Sequence, residues 1–339
     1  MNALTATELD RLASLLVSSG EPVNGTLSGT LIAGGRSNLT YRLTDGDRAW
    51  ALRRPPHGAL IDSAHDMARE FRVVAGLCDT PVPVARAVAL DDGQTLGAPC
   101  AVFEFVEGRT FRSRDDVAAW TSDDFSGCAS ALIDVLAELH GIDPAAVGLA
   151  DHGRPGAYNA RQLARWRRQW EQVGGADPRA DRLHDQLTRL LPAREATSVV
   201  HGDYRVDNVL LGADDPRTVV AVVDWELSTL GDPSADVALM CAYRHEALDG
   251  ILGIPAAWSS NGFPDAESLW SEYQDRSGRD LQDTAFHLGL AYYKIAMIAA
   301  GISYRHQHGA TSGSGYEGVA ATVPVLLETG MEAVARAHS

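Results

Sequence analysis

Lysine is almost absent from this chain. Among 29 strongly basic residues Lys294 is the one lysine, so the common point-charge ligand for a phosphate is missing everywhere else. Positive charge is scarce overall: 45 Asp and Glu give a net charge of −16, which excludes a surface built for non-specific nucleic-acid binding. The acid excess would suit a cationic ligand, and would equally serve solubility alone. Cysteine is sparse, and Cys78, Cys100, Cys128 and Cys241 form no C-x-x-C pair. Neither a zinc site nor a redox motif is indicated, and the four read as small buried hydrophobes in a reducing compartment. No charged stretch followed by an apolar run opens the chain, so no signal peptide is expected. No run reaches the roughly 18 apolar residues of a membrane span. The expectation is a cytoplasmic protein with no membrane and no nucleic-acid partner. Gly-x-Ser-x-Gly and His-Glu-x-x-His are also missing, which leaves serine hydrolase and zincin chemistry without support.

What is present is a hydrophobic content of 45% over 339 residues, enough for a core in one large domain or two intimate ones. Thr7 followed by Asp10 reads as a capping box, and Leu9, Leu12 and Leu16 keep helical spacing up to Gly20. Strand-like runs follow at 27–33, 39–44 and 48–53. The turn Gly34-Gly35-Arg36-Ser37-Asn38 and the hairpin signal Asp45-Gly46 separate them, and Pro55-Pro56 stops the third. Ser63 and Asp66 open a second helix with Met67, Phe71, Val74 and Leu77 on its apolar face. Residues 82–90 and 99–106 flank Asp91-Asp92-Gly93 and make a last hairpin. Three strands, a helix and two strands predict an α+β lobe, an antiparallel sheet with one inserted helix. Beyond Gly108 the texture is helical: Leu132, Val135, Leu136 and Leu139 mark one helix, and 161–170 and 281–302 read as others. Only 198–200, 209–211 and 219–223 are strand-like there. Residues 1–106 are therefore read as a small nucleotide-binding lobe and 107–339 as a larger helical one. Residues 307–318 are a flexible loop by composition.

The short β insertion carries the most informative residues. His201-Gly202-Asp203-Tyr204-Arg205-Val206-Asp207-Asn208 places an acid and, five residues on, an amide. Val219-Val220-Ala221-Val222-Val223-Asp224 then ends an apolar strand in a second acid. An Asp-x4-Asn alone is most often a turn. Joined to that strand and to a five-stranded lobe, it points to phosphoryl transfer. That reaction needs positioning of two oxygens and neutralisation of phosphate charge more than covalent help. In that chemistry Asp203 orients and deprotonates an acceptor hydroxyl. Asn208 offers an amide oxygen to Mg2+, and Asp224 bridges Mg2+ to the phosphates of ATP, with GTP not excluded. Arg53 ends the third strand, where kinases place a phosphate-binding lysine, and Glu70 sits where they place its partner. The plainer alternative for Arg53 is an edge-strand surface charge. Gly35, Ser37 and Asn38 would turn backbone N–H groups to the phosphates, although a plain hairpin explains them equally. Glu104 and Val106, in Phe103-Glu104-Phe105-Val106, would hold adenine by main-chain groups, or simply end a strand. Asp232 and Asp236 are expected to brace the catalytic loop by capping backbone amides.

At these residues the chain resembles the aminoglycoside phosphotransferase and choline kinase-like superfamily, over nearly its whole length. Within it, Gly34 to Tyr41, Leu52-Arg53-Arg54-Pro55-Pro56 and Asp224-Trp225-Glu226 through Gly231-Asp232-Pro233 are most similar to one branch. That branch is the kinase-like domain fused to, or found beside, acyl-CoA dehydrogenases. The resemblance implies a protein-kinase-like two-lobe fold and a Mg-nucleotide-dependent kinase of a small hydroxylated molecule. It makes Arg at position 53 a feature of the branch. It suggests hydroxyacyl-CoA or a related hydroxy acid as acceptor, with an acyl-CoA dehydrogenase as pathway partner. Arg161, Arg165, Arg167 and Arg168 around Trp166 would suit an anionic acceptor, or form a solvated basic face packed through Trp166 and Trp170. Tyr304 and Arg305 are further candidates for that pocket. Two other readings stay open: a nucleotide-binding module without transfer activity, motivated by Arg53, and a kinase of aminoglycosides or amino alcohols. A protein acceptor is disfavoured, because no Ala-Pro-Glu follows Asp224.

Overall fold

The computed structural model describes residues 3–34, 38–55, 62–154, 156–309 and 315–336. Gly35, Arg36, Ser37 and Pro56 lie outside the described residues, as does the middle of the expected 307–318 loop. The chain forms two compact units, Met1–Gly108 with Val220–Glu226, and Arg109–Val219 with Leu227–Ser339. A division by sequence order alone leaves 220–226 with the second unit. That segment packs with the first because the Val222 amide donates to the Pro83 carbonyl at 2.7 Å.

The first unit opens with α1 (Ala6–Ser18). Its capping box is Thr5 with Glu8, not Thr7 with Asp10; the Thr5 amide donates to the Glu8 carboxylate at 2.8 Å and the Glu8 amide to the Thr5 hydroxyl at 3.2 Å. Strands β1 (Ser28–Gly34), β2 (Leu39–Thr44) and β3 (Ala49–Arg54), helix α2 (Asp62–Leu77), and strands β4 (Ala87–Asp91) and β5 (Cys100–Glu104) follow. The sheet runs β1-β2-β3-β5-β4 and every pair is antiparallel. This is the α+β lobe with an inserted helix that the pattern predicts. Residues 82–86 stay outside the ladder, where Pro81 and Pro83 remove donors. Leu12 and Leu16 of α1 pack against Tyr41, Leu43, Trp50, Leu52 and Val102 to make this unit's core.

The second unit is mainly helical. Its elements are α3 (Ser122–Gly141), α4 (Tyr158–Gln172), α5 (Pro178–Arg189), β6 (Ser198–Val200) and β7 (Val209–Leu211). The strand β8 (Val219–Val222) leads out of this unit, and β9 (Thr229–Gly231) returns to it. Helices α6 (Pro233–Ala242), α7 (Ala247–Leu252), α8 (Ala266–Ser277), α9 (Thr284–Gln307) and α10 (Val319–Ala335) complete the chain. β6 and β9 pair antiparallel. Helix α9 is long and apolar enough to cross a membrane by composition, with a window of mean hydropathy 1.4, but 72% of that window is buried inside the protein. Its polar breaks at His287 and Lys294 are what keep it from reading as one apolar run.

The cysteine expectation needs one correction. Cys100, Cys128 and Cys241 are buried, and burial pushes each thiol up to about 12. Cys78 is exposed, because it follows the last residue of α2 and its Sγ donates to the Ala75 carbonyl at 3.1 Å.

Candidate active site

In the first unit the alternation of β3 sends Arg53 and Arg54 to opposite faces. Arg54 is buried and pairs with Glu8 at 3.0 Å. Arg53 is the candidate for the phosphate site. Its guanidinium pairs with Glu70 of α2 and, at 3.1 Å, with Asp224. The two roles predicted for Arg53 and Glu70 therefore meet in space. Burial pushes the Glu70 carboxyl up to about 7, with Asp224 and Glu226 adding to it and Arg53 opposing. Burial also works against the charge of Arg53, but Glu70 and Asp224 outweigh it and hold the guanidinium charged. Asp224 follows β8 with φ +66, a left-handed conformation that Asp tolerates better than most residues. The indole Nε1 of Trp225 closes this turn onto the Val222 carbonyl at 3.0 Å.

The remaining first-unit candidates are less engaged. Asn38 is buried at the start of β2. Glu104 ends β5, where its carboxylate accepts from Arg86 at 3.3 Å and its amide donates to the Arg86 carbonyl. The amide of Phe105 goes to the Ala49 carbonyl at 3.2 Å, so Val106 is the next residue whose amide the hinge can offer. Gly35 and Ser37 lie outside the described residues.

In the second unit β6 delivers His201, Gly202 and Asp203 into a tight turn. Gly202 sits at φ +84, and a Cβ there would come 2.6 Å from the Leu227 carbonyl oxygen, so only glycine fits. The turn is held from below by Asp236 in the first turn of α6, which accepts from the amides of His201 at 2.6 Å and Gly202 at 2.8 Å. The bracing role expected of Asp236 is thus observed. Asp232 instead caps α6 at the Ser234 amide and accepts from Asn159 Nδ2.

Asp203 is the centre of this cluster. Its Oδ1 accepts from the Tyr243 hydroxyl at 2.5 Å, and its Oδ2 from Asn208 Nδ2 at 3.0 Å. The same Asn208 nitrogen donates to the Asp203 carbonyl at 2.8 Å. Arg205 lies 3.7 Å from Oδ2 and pairs with Asp207 at 3.1 Å. Burial alone would raise the Asp203 carboxyl, but Arg205, the Tyr243 hydroxyl, Lys294 and His201 hold it below its ordinary value. Asp207, by contrast, is raised by burial.

The weaker acceptor-pocket candidates separate. Arg161 donates to the carbonyls of Gly156 and Arg154, and Arg167 pairs with Glu171 and Asp181. Arg165 stacks on Trp166, 5.0 Å from the ring centre, within Coulomb range of Lys294. Tyr304 and Arg305 lie ten and eleven residues beyond Lys294 on α9, about 15 Å along the helix, and Tyr304 stacks on His308. Tyr243 and Lys294 are the residues the sequence reading misses. They are 40 and 92 residues from the groups they hold, and no local spacing signals such pairs.

Residues 28–269 match the model of the phosphotransferase enzyme family. The chain belongs to that family. Acyl-CoA dehydrogenase family member 11 of Gallus gallus is 32% identical over 320 residues, which is 91% of this chain and 40% of that protein. The chain thus spans about two fifths of that relative's length. A solved structure from Ralstonia eutropha JMP134, assigned as an aminoglycoside phosphotransferase, is 31% identical with a TM-score of 0.83, over 96% of this chain and 98% of that one. The streptomycin–ATP ternary complex of APH(2″)-IIa has a TM-score of 0.61 at 13% identity, over 98% of this chain and 99% of that one, a likeness of fold alone. The fold is the protein-kinase-like fold of aminoglycoside phosphotransferases.

Proposed function

We propose that this phosphotransferase moves the γ-phosphoryl group of Mg-ATP, or of Mg-GTP, to a hydroxyl of a small molecule. The observation that carries the reading is Asp203, a deeply set carboxylate held ionised and gripped at each oxygen. Such a group orients an acceptor hydroxyl and takes its proton as the new P–O bond forms. The donor set fits Mg2+. The side-chain nitrogen of Asn208 is turned to Asp203, so its amide oxygen is the atom left for a hard cation, and the Asp224 side chain keeps 37% exposure. Mg2+, when bound, would neutralise charge on the phosphates. Arg53, fixed by Glu70, supplies a second positive charge with two donor edges for phosphate oxygens.

For the acceptor we propose a hydroxyacyl-CoA or hydroxy acid, with an acyl-CoA dehydrogenase acting in the same pathway; the support is that a relative is named as an acyl-CoA dehydrogenase family member. A second reading has its own support: viomycin phosphotransferase of Streptomyces vinaceus is 37% identical over 91 residues, 26% of this chain and 31% of that one. An acceptor screen by mass spectrometry separates them. Purified protein with Mg-ATP is offered pooled hydroxyacyl-CoAs, hydroxy acids, amino alcohols and aminoglycosides, beside Asp203→Asn. One phosphoryl group should appear on a single acceptor class with wild type alone. Equal product from Asp203→Asn would sink the role of Asp203. Bound Mg-ATP with no product in any pool would favour a non-catalytic nucleotide-binding module.

A further inference from the structure

Lys294 enters the scheme above only through its charge, yet it is the one lysine in this chain. At exposed sites Arg and Lys exchange at little cost, whereas at a tight site they do not, because the guanidinium is a broad planar fork and the ammonium a compact point charge. Lys294 occupies such a tight site. Its Nζ donates to the Gly202 carbonyl at 2.6 Å and lies 5.8 Å from the centre of the Trp166 ring. Asp203 and Asp236 attract it and Arg165 repels it. Beside it is a cavity of about 20 Å³, lined by Gly202, Asp236, Trp166, His287 and Lys294 among others, room for about one water molecule. Trp166 Nε1 and His287 Nδ1 are buried there without a protein partner. A guanidinium at 294 would have to enter that space.

We propose that Lys294 is a positioning residue for phosphoryl transfer: its ammonium pins the Gly202 carbonyl from above while Asp236 holds the same turn's amides from below, and the two together set Asp203 against the acceptor hydroxyl. The inference rests on the kinase reading of Asp203. It explains why the exception to the arginine habit lies on this helix, since a broad planar fork is a poor replacement for the compact ammonium that meets the Gly202 carbonyl at 2.6 Å.

The test compares wild type, Lys294→Arg, Lys294→Met and Asp203→Asn in γ-phosphate loss from Mg-ATP, to water and to the pooled acceptors, with melting temperature as a folding control. Both Lys294 variants should lose at least about tenfold in kcat while the KM for Mg-ATP stays within about twofold. Arginine should not rescue. Wild-type kcat in Lys294→Arg, or a raised KM with kcat intact, overturns the inference. Should either variant fail to fold, the single lysine supplies a readout in native protein. Protein labelled with 13C at lysine Cε gives one side-chain resonance, and this should move in Asp203→Asn; an unmoved resonance overturns the contact. Loss of turnover in Asp203→Asn alone sinks Lys294 and spares the kinase reading. Full turnover in Asp203→Asn, or none in wild type, sinks both.

Discussion

Both oxygens of the Asp203 carboxylate are engaged by protein groups before any acceptor arrives. Each oxygen has two lone pairs, so one site on Oδ1 stays open beside the Tyr243 hydroxyl. Tyr243→Phe removes one hydrogen bond to an ionised group and nothing else, a loss worth roughly 1.5–3 kcal/mol. We expect kcat to fall about tenfold or more with the nucleotide KM unchanged; steady-state kinetics that leave kcat intact would show the hydroxyl to be idle. Arg53 answers a different question, since Glu70, Asp224 and Glu226 all act on its guanidinium. Arg53→Met leaves a buried carboxylate without its partner and should cost about 3–5 kcal/mol in a denaturant melt, with Arg53→Lys intermediate. Thiol chemistry gives a third check. Native protein should take up a maleimide at Cys78 alone, and unfolded protein at all four cysteines, as read by intact mass.

At the scale of elements, the caps decide where helices begin. Thr5 and Glu8 satisfy each other's orphan groups, and Glu8 also anchors Arg54 of β3. Thr5→Ala should therefore lower stability by about 1 kcal/mol in a chemical melt. The contrast with the sequence reading is instructive here. Hydrophobic spacing located α1 and its Leu12 and Leu16 face correctly but started the helix two residues late, because Thr5 and Thr7 are each followed three residues on by an acid that can close a capping box. The five strands were legible because alternation and the Asp45-Gly46 and Asp91-Asp92-Gly93 turns are local signals. So was the pairing of Arg53 with Glu70, whose positions follow from strand and helix order. Tyr243 and Lys294 were not, since what marks them is a contact with a turn many residues away. Helix α6 was obscured too: nearly every residue in it is buried, so no polar face betrays its period.

For the molecule as a whole, the protonation of His287 sets a pH dependence. Burial lowers this imidazole from its ordinary 6.5, with Asp232 opposing. The folded state then binds fewer protons than the unfolded one between the two values. The stability from keeping the ring neutral is fully present above pH 6.5 and is lost as pH falls through the folded value. Glu70 acts in the opposite sense, since its raised carboxyl favours the folded state as pH falls from about 7 to 4.5. Comparison with His287→Gln isolates the histidine. The stability of wild type relative to this variant should drop below pH 6.5 by up to about 1.4 kcal/mol per pH unit. A pH-independent difference in denaturant midpoints would contradict it.

The return of Val220–Glu226 to the first unit has a consequence for synthesis on the ribosome. When Gly108 has left the exit tunnel, the sheet and α1 are present but the segment that bonds to Pro83 through Val222 and carries Asp224 has not been made. More than a hundred further residues must be added, which takes roughly 6–24 s at 5–20 residues per second. Through that interval Glu70 is the acid that Arg53 can reach. The nascent lobe has its five-stranded sheet complete but lacks the segment that covers Pro83 and brings Asp224 to Arg53, and holding it clear of aggregation is a task the growing chain meets before Asp203, Asn208 and Asp224 exist.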